Sequence, residues 1–202
     1  MQFQAALVWA MQESKVDETL LAARTGSNPR WITEITTNAD WRPKLDTILR
    51  LCHALKFNVL TFLDYAEVGS RGQHPTPNTQ HPTESRKQKP ALGKTYDFSV
   101  EQQMKLILVM MPSHVAWTLK ILRKECGISQ DRLEEITPFS KSTISLREGR
   151  RNQNYPTTTT LGIYCQAYGI RLTEFVSRLF QEVQLDTLPV KQRYAETSLY
   201  YY

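Results

Sequence analysis

The sequence has few of the residues that form cross-links, tight turns or membrane spans. Of its 202 residues, only eight are glycine and three are cysteine, namely Cys52, Cys126 and Cys165. No two cysteines have the C-x-x-C spacing, so we expect reduced thiols in a cytoplasmic protein rather than disulfides or a metal site. The longest apolar run, Leu106–Met111, is far shorter than the roughly 20 residues that cross a bilayer, so no membrane association is expected.

The composition predicts an all-α fold and permits a nucleic-acid partner. The alternation of Val, Ile and Thr with polar residues that is typical of strands is nearly absent, whereas long stretches rich in Leu, Ala, Lys, Arg, Glu and Gln favour helices. The formal net charge is +5, and residues 1–65 hold seven basic and seven acidic side chains, so the excess lies in the rest of the chain. Many proteins are equally basic, and the motifs must therefore decide the function.

Proline and polar residues mark a break at about one third of the chain. Pro75, Pro77, Pro82 and Pro90 lie in a segment with few apolar side chains, which cannot bury enough surface to offset the entropy lost on ordering. We therefore predict a flexible linker over residues 66–98. It separates an N-terminal domain (1–65) from a C-terminal domain (99–184), which a tyrosine-rich tail (185–202) follows.

The two sides of this linker repeat one another. A shift of 112 residues keeps identical residues in register at Leu7/Leu119, Glu13/Glu125, Leu21/Leu133, Thr25/Thr137 and Ile32/Ile144. One extra residue around 149–156 changes the shift to 113, and the register continues at Thr47/Thr160, Cys52/Cys165, Ala54/Ala167 and Phe62/Phe175. Because apolar positions stay aligned over about 60 residues with a single gap, we interpret the chain as two copies of one unit.

Each copy is predicted to contain five helices. Capping residues and glycines in the second copy place them at 114–126, Gln130–Ile136 after the cap Ser129, Lys141–Glu148 after Ser140, about Thr158–Tyr168 before Gly169, and Leu172–Leu179. In the first copy, Asp17 is the expected cap of the second helix. The later helices there are expected at Asn28–Thr36, with Pro29 near its start, then at Lys44–Leu55 and Val59–Tyr65.

The second copy resembles a known family. The resemblance depends on ILRKECGISQDRLEEITPFSKSTISLREGRRN (121–152) and the later YCQAYGIRLTEF (164–175), and it is to the Cro/repressor-like (lambda-repressor-like, XRE) helix-turn-helix family. It implies two five-helix domains of that type joined by the linker, with the third helix of a domain in the DNA major groove. Two positions depart from the family pattern: Gly149 directly follows Glu148, and Arg147 stands where an apolar residue is usual.

The resemblance implies a DNA-reading surface in the second copy. Base edges in the major groove are read by short polar or basic side chains, and phosphates by basic ones. The candidate residues are Gln130 at the start of helix two, Ser140, Lys141, Ser142, Thr143, Ser145 and Arg147 on helix three, and Arg150 and Arg151 in the following loop. The alternative is that the basic residues of this set form an ordinary solvated face.

The first copy offers a weaker version of this surface. Its candidates are Asn28, Arg30, Trp31 and Thr33, whereas Glu34 on the same helix opposes a phosphate. Trp31 is as suited to a partner protein or to the other domain as to a thymine methyl group. This copy is therefore either a second DNA-binding unit or a packing or dimerising domain that has kept the fold.

Two further features complete the expectations. The segment 99–112 has apolar residues at helical spacing on more than one side, as in an added core helix or a self-association helix. No catalytic triad, metal-ligand spacing or phosphate loop is present, so no enzyme activity and no cofactor are expected. The sequence thus predicts a sequence-specific regulator of transcription that binds double-stranded DNA, most simply as a homodimer, with other transcription proteins as further candidate partners. The alternative function is an adaptor that uses the same fold to bind protein, as an antitoxin does.

Overall fold

The computed structural model describes residues 1–68, 97–149 and 153–188. Within these residues every regular element is helical, which confirms the predicted all-α class. The helices are α1 (Phe3–Glu13), α2 (Glu18–Thr25), α3 (Pro29–Thr37), α4 (Leu45–Leu55), α5 (Val59–Val68), α6 (Val100–Val109), α7 (Pro112–Glu125), α8 (Gln130–Ile136), α9 (Lys141–Arg147), α10 (Thr158–Tyr168) and α11 (Leu172–Thr187). The greater part of the predicted linker, the loop residues Arg150 and Arg151, and the tail after residue 188 lie outside the described residues.

The helix boundaries agree closely with those predicted from caps and glycines. Both α8 and α10 have the predicted bounds, and α9 ends one residue early, at Arg147. Two helices are longer than expected, because α5 continues to Val68 and α11 to Thr187. Residues 66–68 and 185–187 are therefore helix rather than linker and tail.

The backbone repeats with the register predicted from the sequence. The side chains of Asp17 and Ser129, 112 positions apart, cap α2 and α8 by accepting hydrogen bonds from Leu20 N and Arg132 N. Three helix ends of the first half have a residue of positive φ, and two of them match the second half, whereas the counterpart of the third, Gly26, is Pro138. Lys15 (φ 54°) corresponds to Gly127 (φ 66°) at a shift of 112, and Lys56 (φ 54°) to Gly169 (φ 66°) at a shift of 113.

This backbone match predicts opposite effects of substitution in the two halves. The left-handed conformation costs an L-residue about 1–2 kcal/mol, and glycine avoids this cost but loses more entropy on folding. We expect Lys15→Gly to raise the free energy of unfolding by about 0.5–1 kcal/mol. Gly127→Ala should lower it by about 1 kcal/mol, for conformational reasons alone, because a Cβ atom at Gly127 would meet no atom within 4 Å. Urea unfolding of both variants tests this, and a loss of stability on Lys15→Gly would contradict it.

Each half has its own helix packing, and the two halves also contact each other. In the first half α1 packs on α5 and α3, and α2 packs on α3 and α4; in the second, α7 packs on α10 and α11, and α8 on α9. Between the halves α5 packs on α11. Side chains of both halves belong to one continuous hydrophobic cluster, so burial that stabilises one half also depends on the other.

Hydrogen bonds join the halves at two places. Leu45 N donates to Pro156 O at 3.1 Å, and Thr158 N donates to Pro43 O at 2.9 Å, which forms an isolated antiparallel bridge at the starts of α4 and α10. At the start of α11, the carboxylate of Glu67 from α5 accepts hydrogen bonds from Leu172 N and Thr173 Oγ1, both at 2.8 Å. An acidic residue of one half therefore caps a helix of the other.

The helix α6 has no counterpart in the first half and packs on both halves. It contacts α4 and α11, and it begins with a capping box formed by Ser99 and Gln102. The side chain of Gln103 is fully buried; its Oε1 accepts from Val59 N at 2.9 Å and its Nε2 donates to Phe98 O at 2.8 Å. These contacts are those of an added core helix, although Leu108 and Val109 remain exposed.

In the described part of the chain no single helix has both the length and the apolar character to cross a membrane; α6 and α7 reach that limit only as a pair, and they bend by 107°.

Candidate nucleic-acid interface

The outer face of α9 is open to solvent. Ile144 is the one residue of this helix that is fully buried, whereas Lys141, Ser142 and Ser145 are exposed. Leu146 is also exposed, with 70% of its surface accessible. The predicted reading face therefore exists as a surface, and it contains an apolar side chain that the sequence-based selection did not include.

Hydroxyl groups organise the first turn of α9. Ser140 Oγ accepts a hydrogen bond from Thr143 N at 3.3 Å, and it forms further hydrogen bonds with Ser142 Oγ at 3.0 Å and Thr143 Oγ1 at 2.9 Å. Ser140 is thus the N-cap, as predicted, and it holds two neighbouring hydroxyls in fixed positions. Of the serines and threonine predicted to read bases, Ser142 and Ser145 are the two that lie on α9 with exposed side chains.

A buried ion pair attaches α9 to the rest of the domain. Arg123 on α7 binds Glu148 at the end of α9 through two parallel hydrogen bonds, Nε to Oε1 at 2.7 Å and Nη2 to Oε2 at 2.8 Å. Its third nitrogen, Nη1, donates to Ile128 O at 2.8 Å. The hydrogen bond with Glu148 raises the pKa of Arg123, so this guanidinium stays protonated. Sequence reasoning missed this pair because its members are 25 residues apart.

Gln130 is directed at this ion pair. Its Nε2 donates to Glu148 Oε2 at 2.9 Å, and the side chain is half-buried. We predicted that Gln130 would touch a phosphate or a base. In this structure its amide nitrogen instead connects the start of α8 to the end of α9, which makes Gln130 a positioning residue of the interface.

Arg147 does not lie on the reading face. Its guanidinium is stacked over the ring of Phe139, 4.0 Å from the ring centroid, and the side chain is half-buried. This corrects the prediction that Arg147 would face a groove. The position is the counterpart of Ile35 in the first half (35 + 112 = 147), which is buried. The long arginine side chain therefore fills the place that an apolar residue, Ile35, fills in the first half.

Lys141 is exposed but paired. Its Nζ lies 2.5 Å from Asp131 Oδ1, and its backbone N donates to Glu134 Oε1 at 2.9 Å. The hydrogen bond with Asp131 raises the pKa of Lys141. Acidic residues of α8 therefore lie beside α9, and the predicted contact of Lys141 with a phosphate would require this side chain to leave Asp131.

The first half has a hydrogen bond at the place that corresponds to the Gln130–Glu148 contact, but the donor and the acceptor are on opposite helices. Glu18 is the counterpart of Gln130, and Thr36 of Glu148 (18 + 112 = 130, 36 + 112 = 148). Here Glu18 Oε1 accepts from Thr36 Oγ1 at 2.7 Å, and Glu18 Oε2 accepts from Thr33 Oγ1 at 2.6 Å. These two hydrogen bonds lower the pKa of Glu18, with the bond from Thr33 the larger cause. The hydroxyl of Thr33, a predicted DNA contact, is thus engaged within the protein.

The other three candidates of the first half, Asn28, Arg30 and Trp31, have different surroundings. Asn28 is the N-cap of α3, and its side chain accepts from Arg30 N at 2.9 Å, while the Arg30 side chain is exposed. Trp31 is half-buried and lines, with Arg50 and Leu51 of α4, an open cavity of about 390 Å³. Exposed Arg30 and Glu34 therefore dominate the outer face of α3.

Arg150 and Arg151, predicted to bind phosphates, lie outside the described residues. In the parts of the chain that the structure covers, no three His, Cys, Asp or Glu side chains form a group that could hold a metal ion.

Comparison with known proteins adds no relative: no family model, no curated protein and no solved structure matches this chain.

Proposed function

We propose that the chain is a sequence-specific DNA-binding regulator of transcription, in which α2–α3 and α8–α9 are helix-turn-helix units of the Cro/repressor-like type. The observation that carries the proposal is the outer face of α9. This face is exposed to solvent, whereas the C-terminal end of α9 is fixed to α7 and α8 by the hydrogen bonds that Glu148 accepts from Arg123 and Gln130. A rigid helix with a free polar face is what direct readout of a major groove requires.

Charge around α9 supports a phosphate-dependent mode of binding. Lys141 lies at the start of this helix, and the sequence places Arg150 and Arg151 shortly after its end. Basic residues on both sides of a reading helix suit contacts to the two phosphate backbones of a groove, while Ser142 and Ser145 face the base edges. No cofactor is needed for this function.

A pair of substitutions at one ion pair tests the proposal. Lys141→Ala should weaken binding to a random duplex and reduce the dependence of log affinity on log salt by about one phosphate contact. Asp131→Asn should strengthen binding several-fold at low salt, because it releases Lys141 and removes a negative charge from the surface. Fluorescence anisotropy of the full chain with a labelled duplex, titrated between about 50 and 200 mM salt, measures both.

A matched control and a contradicting result complete this test. Gln166→Glu adds a charge at an exposed position of α10, outside the α8–α9 pair, and should change the affinity much less than Ser145→Glu on the reading face. Absence of duplex binding by the unsubstituted chain at low salt would refute the proposal. Equal affinities of the Lys141 and Asp131 variants would refute the placement of the interface.

A second candidate function has one observation in its favour. Leu146 on α9 and Ile136 at the end of α8 are both exposed, and the acidic Asp131 and Glu134 of α8 contact Lys141 at the start of α9. Exposed apolar side chains and acidic groups on one helix pair suit a protein partner better than DNA. An adaptor of this kind would not bind duplex in the salt titration, and Leu146→Ser would reduce its affinity for its partner.

A further inference from the structure

The contact between the two halves uses the same residues on both sides. Pro43 accepts from Thr158, and Pro156 accepts from Leu45. Pro43 and Pro156 are counterparts at the shift of 113, and so are Leu45 and Thr158. When residue i of one unit contacts residue j of the other, and j of the first contacts i of the second, a twofold axis relates the units. The bridge therefore has the pattern of a dimer interface inside one chain.

Helix packing follows the same symmetry. The two helices that contact each other across the halves, α5 and α11, are counterparts, since they begin at Val59 and Leu172, 113 residues apart. Self-packing of equivalent helices is the second feature expected of a twofold interface. The bridge and the helix pair together indicate one approximate axis that passes between α5 and α11 and through the bridge.

The added helix compensates at one place where the symmetry fails. Glu67 caps Leu172 N of α11, but its counterpart is Phe180 (67 + 113 = 180), which cannot accept a hydrogen bond from Val59 N of α5. The acceptor there is Gln103 of α6 instead. The segment before α6 also covers Phe180, because Phe98 packs edge-on against its ring with centroids 5.7 Å apart.

We infer that the chain is a built-in dimer, which presents α3 and α9 together to one DNA site with two unlike half-sites; this rests on the proposed function. A twofold rotation does not change the position of an atom along the rotation axis. The counterparts α3 and α9 are therefore expected at about the same position along this axis, one on each side of it. Dimeric helix-turn-helix proteins use this relation to place two reading helices in grooves one helical turn apart, about 34–36 Å. Here a second chain is not needed to supply the twofold axis.

Chain length permits a spacing of one turn. The bridge residue Lys44 lies seven positions after Thr37 at the end of α3, and Thr157 lies ten positions after Arg147 at the end of α9. At no more than about 3.6 Å a residue, the ends of the two reading helices lie within about 25 Å and about 36 Å of the bridge. This reach accommodates half-sites about 10 base pairs apart.

The two half-sites must differ because the two reading faces differ. Arg30 on α3 is the counterpart of Ser142 on α9 (30 + 112 = 142), and Glu34 is the counterpart of Leu146. An arginine that can bind guanine with two hydrogen bonds faces one half-site, and a serine faces the other. The expected ligand is thus a non-palindromic duplex, bound by one chain.

A reciprocal exchange of exposed residues tests this inference. The variants Arg30→Ser with Thr33→Ser, and Ser142→Arg with Ser145→Thr, give each reading helix the residues of the other at these two exposed positions and leave buried side chains intact. The full-length parent and both variants are used to select sites from random duplexes, and light scattering of the purified complexes measures the number of chains per site. We expect one chain per site, and a preference changed on the order of tenfold in one half-site by the first variant and in the other by the second.

Two other results are possible and each has a definite meaning. Two chains on a palindromic site, with the α9 exchange altering both half-sites equally and the α3 exchange altering neither, would overturn the built-in dimer and leave the proposed function intact. Failure of the parent to bind any duplex at low salt would overturn the proposed function and this inference with it.

Discussion

Arg123→Met is expected to lower the free energy of unfolding by about 3–5 kcal/mol, the usual cost of removing one partner from a buried ion pair. Arg123 is 8% exposed and Glu148 5% exposed, so the carboxylate left behind can regain little water. It would keep the hydrogen bond from Gln130. Urea unfolding followed by circular dichroism measures the loss, and a loss below about 1 kcal/mol would contradict the prediction.

The first half of the chain supplies the matched control. The counterparts of Arg123 and Glu148 there are Met11 and Thr36 (123 − 112 = 11, 148 − 112 = 36), and both are buried. Combining Arg123→Met with Glu148→Thr reproduces that arrangement in the second half. Because the double variant leaves no uncompensated charge, we expect it to recover most of the lost stability. If instead the losses of the two single variants add, the ion pair is not a coupled unit.

A surface arginine provides a second control for the same measurement. Arg132 on α8 also forms an ion pair, with its Nη1 2.7 Å from Glu135 Oε2, but both side chains are more than half exposed. Exposed pairs contribute little because water and salt screen them. Arg132→Met should therefore change the free energy of unfolding by no more than about 0.5 kcal/mol. The contrast with Arg123→Met isolates the effect of burial.

Local signals in the sequence predicted the helices well. The caps Asp17, Ser129 and Ser140 and the terminating Gly127 and Gly169 act within one turn of their own helix, so the information that places each boundary lies next to it. The same holds for the exposed face of α9, which follows from helical periodicity around Ile144. Two helix ends without glycine, at Lys15 and Lys56, have no local signal of this kind.

Contacts between distant residues were not predictable in the same way. Gln130 contacts Glu148 because the end of α9 lies near the start of α8 in the folded chain. Arg147 stacks on Phe139 because the turn between α8 and α9 brings this ring to the side of α9. Neither contact can be recognised from the spacing of residues along one sequence. The register of the repeat could have suggested the position of Arg147, because Ile35 occupies the matching place in the first half.

The contacts between the two halves were also not predictable from the sequence. Both Pro43 and Pro156 precede helices that the sequence predicted, and their equivalence follows from the shift of 113. That each accepts a hydrogen bond from the other half could not be read from either sequence segment. An interface depends on shape and on unsatisfied backbone groups that exist only once both units have folded.

Loss of Gln103 should have the second large effect on stability. Its side chain is fully buried and satisfies two backbone groups, Val59 N and Phe98 O. Gln103→Leu fills the same space but leaves a buried N–H and a buried C=O without these partners, at about 1–3 kcal/mol each. We expect the free energy of unfolding to fall by about 2–4 kcal/mol.

Hydrogen exchange distinguishes this mechanism from a general loss of packing. Because Gln103 Oε1 protects Val59 N at the first turn of α5, that amide should exchange much faster in the Gln103→Leu variant. Gln103→Glu keeps the acceptor and should preserve the protection of Val59 better, while it still destabilises the chain by burying a carboxylate. Glu101→Ala, which breaks an exposed ion pair with Lys105 on the same helix, should leave both measurements unchanged. Unaltered exchange at Val59 in the leucine variant would mean that α6 joins the halves by apolar contact alone.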